Sequence, residues 1–168
     1  MDLYQAALAY TARYATSKEN LRRVLWRKLH RVALRNAEEP PETAVIEPEI
    51  TAIIARLESI GAVDDQVYAR AQFRTLQSRG SSFRAIRAKL ANKGVPAGII
   101  TTLLASDTPE EDERTAATRY AKRRRLGPFR ERETTPERRQ KDLAALCRAG
   151  FSFSIASMVI DTRDDTPK

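Results

Sequence analysis

Ser82-Phe83-Arg84-Ala85-Ile86-Arg87-Ala88-Lys89-Leu90-Ala91-Asn92-Lys93-Gly94-Val95-Pro96 holds the start, the buried stripe and the stop of one helix. Ser81 or Ser82 can cap its N-terminus. Phe83, Ile86 and Leu90 recur at helical spacing, and Gly94 suits the left-handed position that closes a helix. Pro96 then opens a short helix carrying Ile99, Ile100, Leu103 and Leu104. The same order returns at a shift of 56 residues, from Gly94 to Gly150: Leu90-x-x-x-Gly94-Val95 lies over Leu146-x-x-x-Gly150-Phe151, and Ile99 and Leu103 fall on Ile155 and Val159. Agreement across a helix, its cap and the next helix argues for an internal repeat.

Outward from this stretch the punctuation stays helical. Upstream, Asp64 or Asp65 caps a helix with Tyr68, Ala69, Phe73 and Leu76 on one side, Arg70 and Arg74 on the other, and Gly80 at its end. Downstream, Thr108-Pro109-Glu110-Glu111 has the cap, proline and acidic first turn of a helix start, followed by Ala116, Ala117, Tyr120 and Ala121. A basic loop, Arg123-Arg124-Arg125-Leu126-Gly127-Pro128, is expected next. Thr135-Pro136 restarts a helix with Leu143 and Leu146, and a final helix carries Ile155, Met158, Val159 and Ile160.

Toward the N-terminus, a helix is expected over Tyr4 to Ala15. Thr16 with Glu19 reads as a capping box for a second helix through Leu21, Val24, Leu25 and Leu29. A Pro- and Glu-rich connection, Ala37 to Glu47, precedes a third helix opening at Pro48, with Ile50, Ile53, Ile54 and Leu57 buried and Gly61 at its end. The predicted class is all-α: three tandem three-helix repeats over 1–61, 62–106 and 107–162, with a flexible tail at 163–168. Repeats that bury each other's faces stack into an elongated, curved array.

Charge points to a polyanionic partner. The chain carries +8 at neutral pH, with a pI near 10.0. Between Asp65 and Asp107 there is no acidic residue, while Arg70, Arg74, Arg79, Arg84, Arg87, Lys89 and Lys93 fall inside that stretch. A merely solvated helix face usually mixes signs to gain i,i+4 pairs. A second acid-free run, between Glu19 and Glu38, holds Arg22, Arg23, Arg27, Lys28, Arg31 and Arg35, and Arg123, Arg124 and Arg125 form a third group. In the central helix the apolar stripe leaves Arg84 outward and Arg87 and Lys89 on opposite flanks. Replacing these three by Ala is expected to leave the fold intact. The excess of arginine over lysine suits bidentate contacts to phosphate or carboxylate.

Other chemistry finds little support. The single Cys147 cannot form an intrachain disulfide, and the single His30 leaves few ligands for a metal, so no cofactor and no metal site are expected. Asp64-Asp65 reads better as a cap than as a metal-binding pair, and His30 as a solvated residue. Cys147 and Tyr68 read as packing residues. An exposed Trp26 would favour stacking on unpaired bases. No apolar run is long enough to span a membrane, and the N-terminus lacks a signal-peptide pattern, so a cytoplasmic protein is expected.

Ser59-Ile60-Gly61-Ala62-Val63-Asp64-Asp65-Gln66-Val67-Tyr68-Ala69-Arg70-Ala71, continued by Ser78-Arg79-Gly80 and Ile86 to Val95, closely resembles the central signature of the RecX family. Ala7-Leu8-Ala9-Tyr10 with Ser17 and Leu21-Arg22-Arg23 is similar to that family's first unit, and Arg148-Ala149-Gly150-Phe151-Ser152 to its third. The resemblance implies tandem three-helix repeats and a cytoplasmic regulator, without catalysis, that binds RecA filaments and usually limits their growth. It places the chain in homologous recombination, DNA repair and the SOS response. Binding to single- and double-stranded DNA is also implied, and a monomer is expected. The insertion from Ala37 to Glu47 and the link from Leu126 to Thr134 depart from the family pattern. Two other readings of the charge are an independent, sequence-tolerant DNA-binding module and a helical scaffold for an acidic protein.

Overall fold

In a computed structural model of the chain, describing residues 2–131 and 135–162, the described residues form α-helices, one short 3-10 turn and no strand. The helices are α1 (Leu3–Thr11), α2 (Lys18–Arg35), α3 (Thr43–Ser59), α4 (Asp65–Ser78), α5 (Phe83–Asn92), α6 (Ala97–Leu104), α7 (Pro109–Arg124), α8 (Pro136–Arg148) and α9 (Phe153–Ile160), with the 3-10 turn at Gly127–Phe129. The all-α, three-helices-at-a-time order matches the sequence reading. The expected tail at 163–168 and the last part of the link before Thr135 lie outside the described residues.

Helix ends are where the sequence was most explicit. At Gly61, Gly80, Gly94 and Gly150 the chain closes alike: the glycine N–H and the next N–H bond back to carbonyls of the last turn, as in Ala62 to Leu57 and Val95 to Leu90. Ala37 and Arg125, at φ +55° and +53°, close α2 and α7 with the same pair of bonds despite carrying side chains.

Starts were less legible. Helix α1 stops at Thr11 rather than Ala15, since residues 12–15 are exposed and have no apolar face to bury. The cap of α2 is Ser17, which accepts from Asn20 N–H at 3.0 Å; Thr16 instead accepts the Asn20 side-chain amide at 2.8 Å. Glu19 pairs with Arg22 and Arg23 and closes no capping box. Helix α3 begins at Thr43, so Pro48 lies inside it. The proline deprives only the Ala44 carbonyl of a donor, in an exposed first turn. In return Ile46 reaches the core, and Glu47 meets Trp26 and Arg22 on α2. Arg123 and Arg124 continue α7 where a loop was expected, Arg125 caps it, and Met158 on α9 is 41% exposed.

The chain forms two compact units, one comprising residues up to Ala71 with Leu90–Ile100, the other Gln72–Lys89 with residues from Thr101 onward; the borders fall within α4, α5 and α6. In the first, Leu3 and Ala7 of α1, Leu21 and Leu25 of α2, and Ile50, Ile53, Ile54 and Leu57 of α3 make one core with Val63. In the second, Ala116, Ala117 and Ala121 of α7 let α9 approach closely, and Leu143, Leu146, Phe151, Ile155, Ala156, Val159 and Ile160 fill the space. Each large apolar side chain so buried contributes roughly 1.5–3 kcal/mol.

Each unit also contains the same joint. In the first, the Ser17 hydroxyl donates to the Lys93 carbonyl, the Lys18 N–H donates to Asp65 Oδ1 at 2.8 Å, and Arg23 donates to the Asn92 carbonyl at 2.9 Å. In the second, Ser82 donates to the Ala149 carbonyl at 2.8 Å, the Phe83 N–H donates to Glu113, and Arg84 donates to the Cys147 carbonyl at 3.2 Å. A helix N-terminus thereby gains a carboxylate while a helix C-terminus gains a hydroxyl and a guanidinium, each matched to the local dipole. Gly94 and Gly150 sit where these chains meet: an added Cβ would strike Glu19 at the first and the Ser82 hydroxyl at the second. The internal repeat is therefore present in contacts as well as in spacing.

Candidate polyanion-binding surface

The joints separate basic residues that hold the fold from those left over. In the first unit Arg22 is half-buried, paired with Glu19 at 3.4 Å and with Glu47, and donates to Thr51 at 3.2 Å. Arg23 is held by Glu19 at 2.9 Å and by the Asn92 carbonyl, so the start of the α2 basic run lies beside the backbone next to Lys93. Arg27 Nε donates to the Arg23 carbonyl at 3.2 Å, leaving the rest of its guanidinium outward. Arg70 and Lys93 are exposed and have no side-chain partner among the described residues.

In the second unit Arg74, Arg79, Arg87 and Lys89 are likewise exposed and unpartnered among the described residues. Arg84 differs, since it is exposed but committed to the Cys147 carbonyl. Arg123 donates to the Arg79 carbonyl, which brings the end of α7 to the end of α4. Arg123 and Arg124 also lie over the Tyr120 ring, 5.6 and 5.5 Å from its centre, while Arg125 pairs with exposed Glu131 at 3.0 Å. The sequence-predicted basic residues thus divide into clamps (Arg22, Arg23, Arg84, Arg123), residues with one local contact (Arg27, Arg124, Arg125) and charges free among the described residues (Arg70, Arg74, Arg79, Arg87, Lys89, Lys93). Net charge and spacing treat these groups alike, because the carbonyls that Arg23, Arg84 and Arg123 donate to, and the distant Glu47 that Arg22 meets, leave no mark beside them in the sequence.

The aromatic and acidic residues also resolve. Tyr68 is buried, and burial followed by the nearby Tyr10 pushes its hydroxyl pKa up. Trp26 is half-buried against the first core rather than fully exposed, its indole N–H donating to Glu47 at 3.0 Å, and exposed His30 lies 5.9 Å from it between ring centres. Asp64 caps α4 by accepting from Gln66 and Val67, whereas Asp65 serves the α2 joint. Cys147 is half-buried against the second core. Sequence reading missed Asp142, buried on α8, which accepts the Gly127 N–H at 2.9 Å and pairs with Arg130; that hydrogen bond holds the Arg130 pKa up. An Asp four residues before Leu146, on the apolar face of its helix, was the available signal. Among the described residues no group of His, Cys, Asp and Glu is placed to hold a metal, and no helix is long and apolar enough to cross a membrane.

These features define a class: a protein whose described residues form successive three-helix groups, joined by serine–arginine clamps and presenting arginine and lysine side chains that have no partner among those residues. Residues 64–104 match the family model described as RecX, second three-helix domain. The chain is 43% identical to the regulatory protein RecX of Myxococcus xanthus over 162 residues, covering 95% of this chain and 84% of that one. It is 31% identical to the regulatory protein RecX of Thermobifida fusca, over 95% of this chain and 79% of that one. The crystal structure of RecX from Lactobacillus salivarius shares the fold at a TM-score of 0.67 and 21% identity, covering 94% of this chain and 92% of that one. The chain belongs to the RecX family of regulatory proteins.

Proposed function

We propose that this chain binds the RecA nucleoprotein filament and DNA and, as a monomer in the cytoplasm, restrains the recombinase without catalysing a reaction. The observation that carries this reading is the set of exposed cations on and beside α4 and α5 (Arg70, Arg74, Arg79, Arg87, Lys89 and Lys93), without a side-chain partner among the described residues and in a stretch without one acidic residue. Such charges can meet phosphates or acidic protein surface, and arginine does so with a planar, bidentate fork. Repeats over 1–61, 62–106 and 107–162 would each offer a contact to a long partner, and binding several filament subunits at once obstructs the filament's changes of state. The test is RecA-dependent ATP hydrolysis on single-stranded DNA with substoichiometric amounts of the chain. Hydrolysis is expected to fall. Unchanged hydrolysis with salt-sensitive DNA binding would favour an independent DNA-binding module, and binding to neither a scaffold for an acidic protein.

A further inference from the structure

Helix α2 carries arginine at positions 23, 27, 31 and 35, one every four residues. At 1.5 Å per residue this spaces the guanidinium stems by about 6 Å along the axis. Beside that row run Trp26 and His30, each three residues after an arginine and therefore its neighbour on the helix surface. Arg22, Arg23, Trp26, Arg27, His30 and Arg31 line one open groove. Its acidic neighbours are already engaged, Glu19 by Arg22 and Arg23, and Glu47 by Arg22 and the indole N–H. Arg31 and Arg35 are exposed and have no partner among the described residues.

We propose that this α2 groove is a track for single-stranded nucleic acid, with Arg27 and Arg31 following the phosphates in the groove, Arg35 extending the row beyond it, and the exposed His30 ring together with the groove-facing part of half-buried Trp26 receiving unpaired bases. The proposal rests on the reading that the chain contacts DNA, and it assigns that contact to residues of α2 rather than to the cations of α4 and α5. A row of cations beside ring faces is the combination that binds unpaired strands with little sequence preference; a duplex offers its phosphates but keeps its bases stacked inside. The bond from Trp26 to Glu47 fixes the indole before any strand arrives, which lowers the ordering cost of binding.

Trp26 and His30 are the only residues of their types in the chain, so each reports on this groove alone. The test titrates the full chain with a single-stranded oligothymidylate. It follows binding by anisotropy of a labelled oligomer, Trp26 emission, and the His30 ring resonances. Emission should be quenched and the resonances should move in step with binding, while a duplex of equal length leaves the emission nearly unchanged. The variant Arg27→Ala/Arg31→Ala/Arg35→Ala, with unchanged helical content, should bind more weakly. Its plot of log affinity against log salt should be shallower by about 2, roughly 0.7 for each phosphate that the variant leaves unneutralised. If that variant does not fold, the pair Arg31→Ala/Arg35→Ala carries the same comparison. Binding without any Trp26 or His30 response, or a folded variant that binds like the parent, overturns the groove while leaving DNA contact elsewhere intact. An equal response to duplex overturns the choice of single strand. A parent chain that binds neither the oligomer nor the RecA filament overturns the underlying reading as well.

Discussion

The Ser82 hydroxyl donates to the Ala149 carbonyl at 2.8 Å, and the Cβ that Gly150 lacks would fall on that same hydroxyl. Gly150 also has φ +105°, a conformation that L side chains rarely adopt. Gly150→Ala should therefore lose stability twice over, through backbone strain of about 1–3 kcal/mol and through displacement of Ser82. Urea unfolding of the parent, Gly150→Ala, Ser82→Ala and the double variant separates the two. The double variant should be less destabilised than the sum of the singles, because Ser82→Ala removes the atom that the new methyl meets. Strict additivity would show that the hydroxyl and the glycine are not coupled.

Arg84 and its neighbours on α5 should part company on mutation. Sequence spacing groups Arg84, Arg87 and Lys89 as one outward set, but only Arg84 is bonded to a carbonyl, that of Cys147 at the end of α8. Arg84→Ala should lower thermal stability by about 0.5–1.5 kcal/mol, the usual net worth of a hydrogen bond. Arg87→Ala/Lys89→Ala should leave the melting temperature within error and weaken filament association. A melting temperature unchanged by Arg84→Ala would mean the clamp contributes nothing in solution.

The fold was legible where one residue type does one job. Gly61, Gly80, Gly94 and Gly150 each end a helix, and Ile50, Ile53, Ile54 and Leu57 are all buried as spaced. Pro48 misled because the proline that suits a first helical position is also tolerated a turn further in, and only the contacts of Ile46 and Glu47 decide between them. Thr16 misled in place of Ser17 for a similar reason: either can cap, and the Lys93 carbonyl selects the serine. The joints were invisible because half of each bond is a backbone carbonyl or N–H, which no side-chain pattern records. For the basic surface, sequence located the charge, and the structure removed Arg22, Arg23, Arg84 and Arg123 from its free portion.

Ile86 and Leu90 on α5 supply the contrast to the charge variants. Both are essentially fully buried, at 0% and 1% exposure. Ile86→Ala or Leu90→Ala should each cost about 2–5 kcal/mol by leaving a cavity. Any loss of filament association by these variants should be recovered at temperatures where they remain folded. A deficit that persists in the fully folded variant would place α5's apolar stripe in the interface itself.

Glu113 gives the joint in the second unit a pH signature. Its half-buried carboxyl has its pKa raised above the usual 4.5 by desolvation, partly offset by the hydrogen bond it accepts from the Phe83 N–H. A raised carboxyl pKa means the folded state holds its proton more tightly than the unfolded state does. The resulting contribution to stability is fully present below the unfolded value, declines as pH rises above it, and is gone once pH passes the folded value. Asp161, lowered by its bidentate pair with Arg139, acts in the opposite sense at more acidic pH. Glu113→Gln keeps an oxygen to accept from Phe83 but removes the ionisation. In unfolding free energies measured across mildly acidic pH, the parent should fall relative to the variant as pH rises from about 4.5. The gap should widen and then level off once Glu113 is ionised in both states. Parallel curves for the two proteins would show that the carboxyl titrates in the folded chain as it does in the unfolded one.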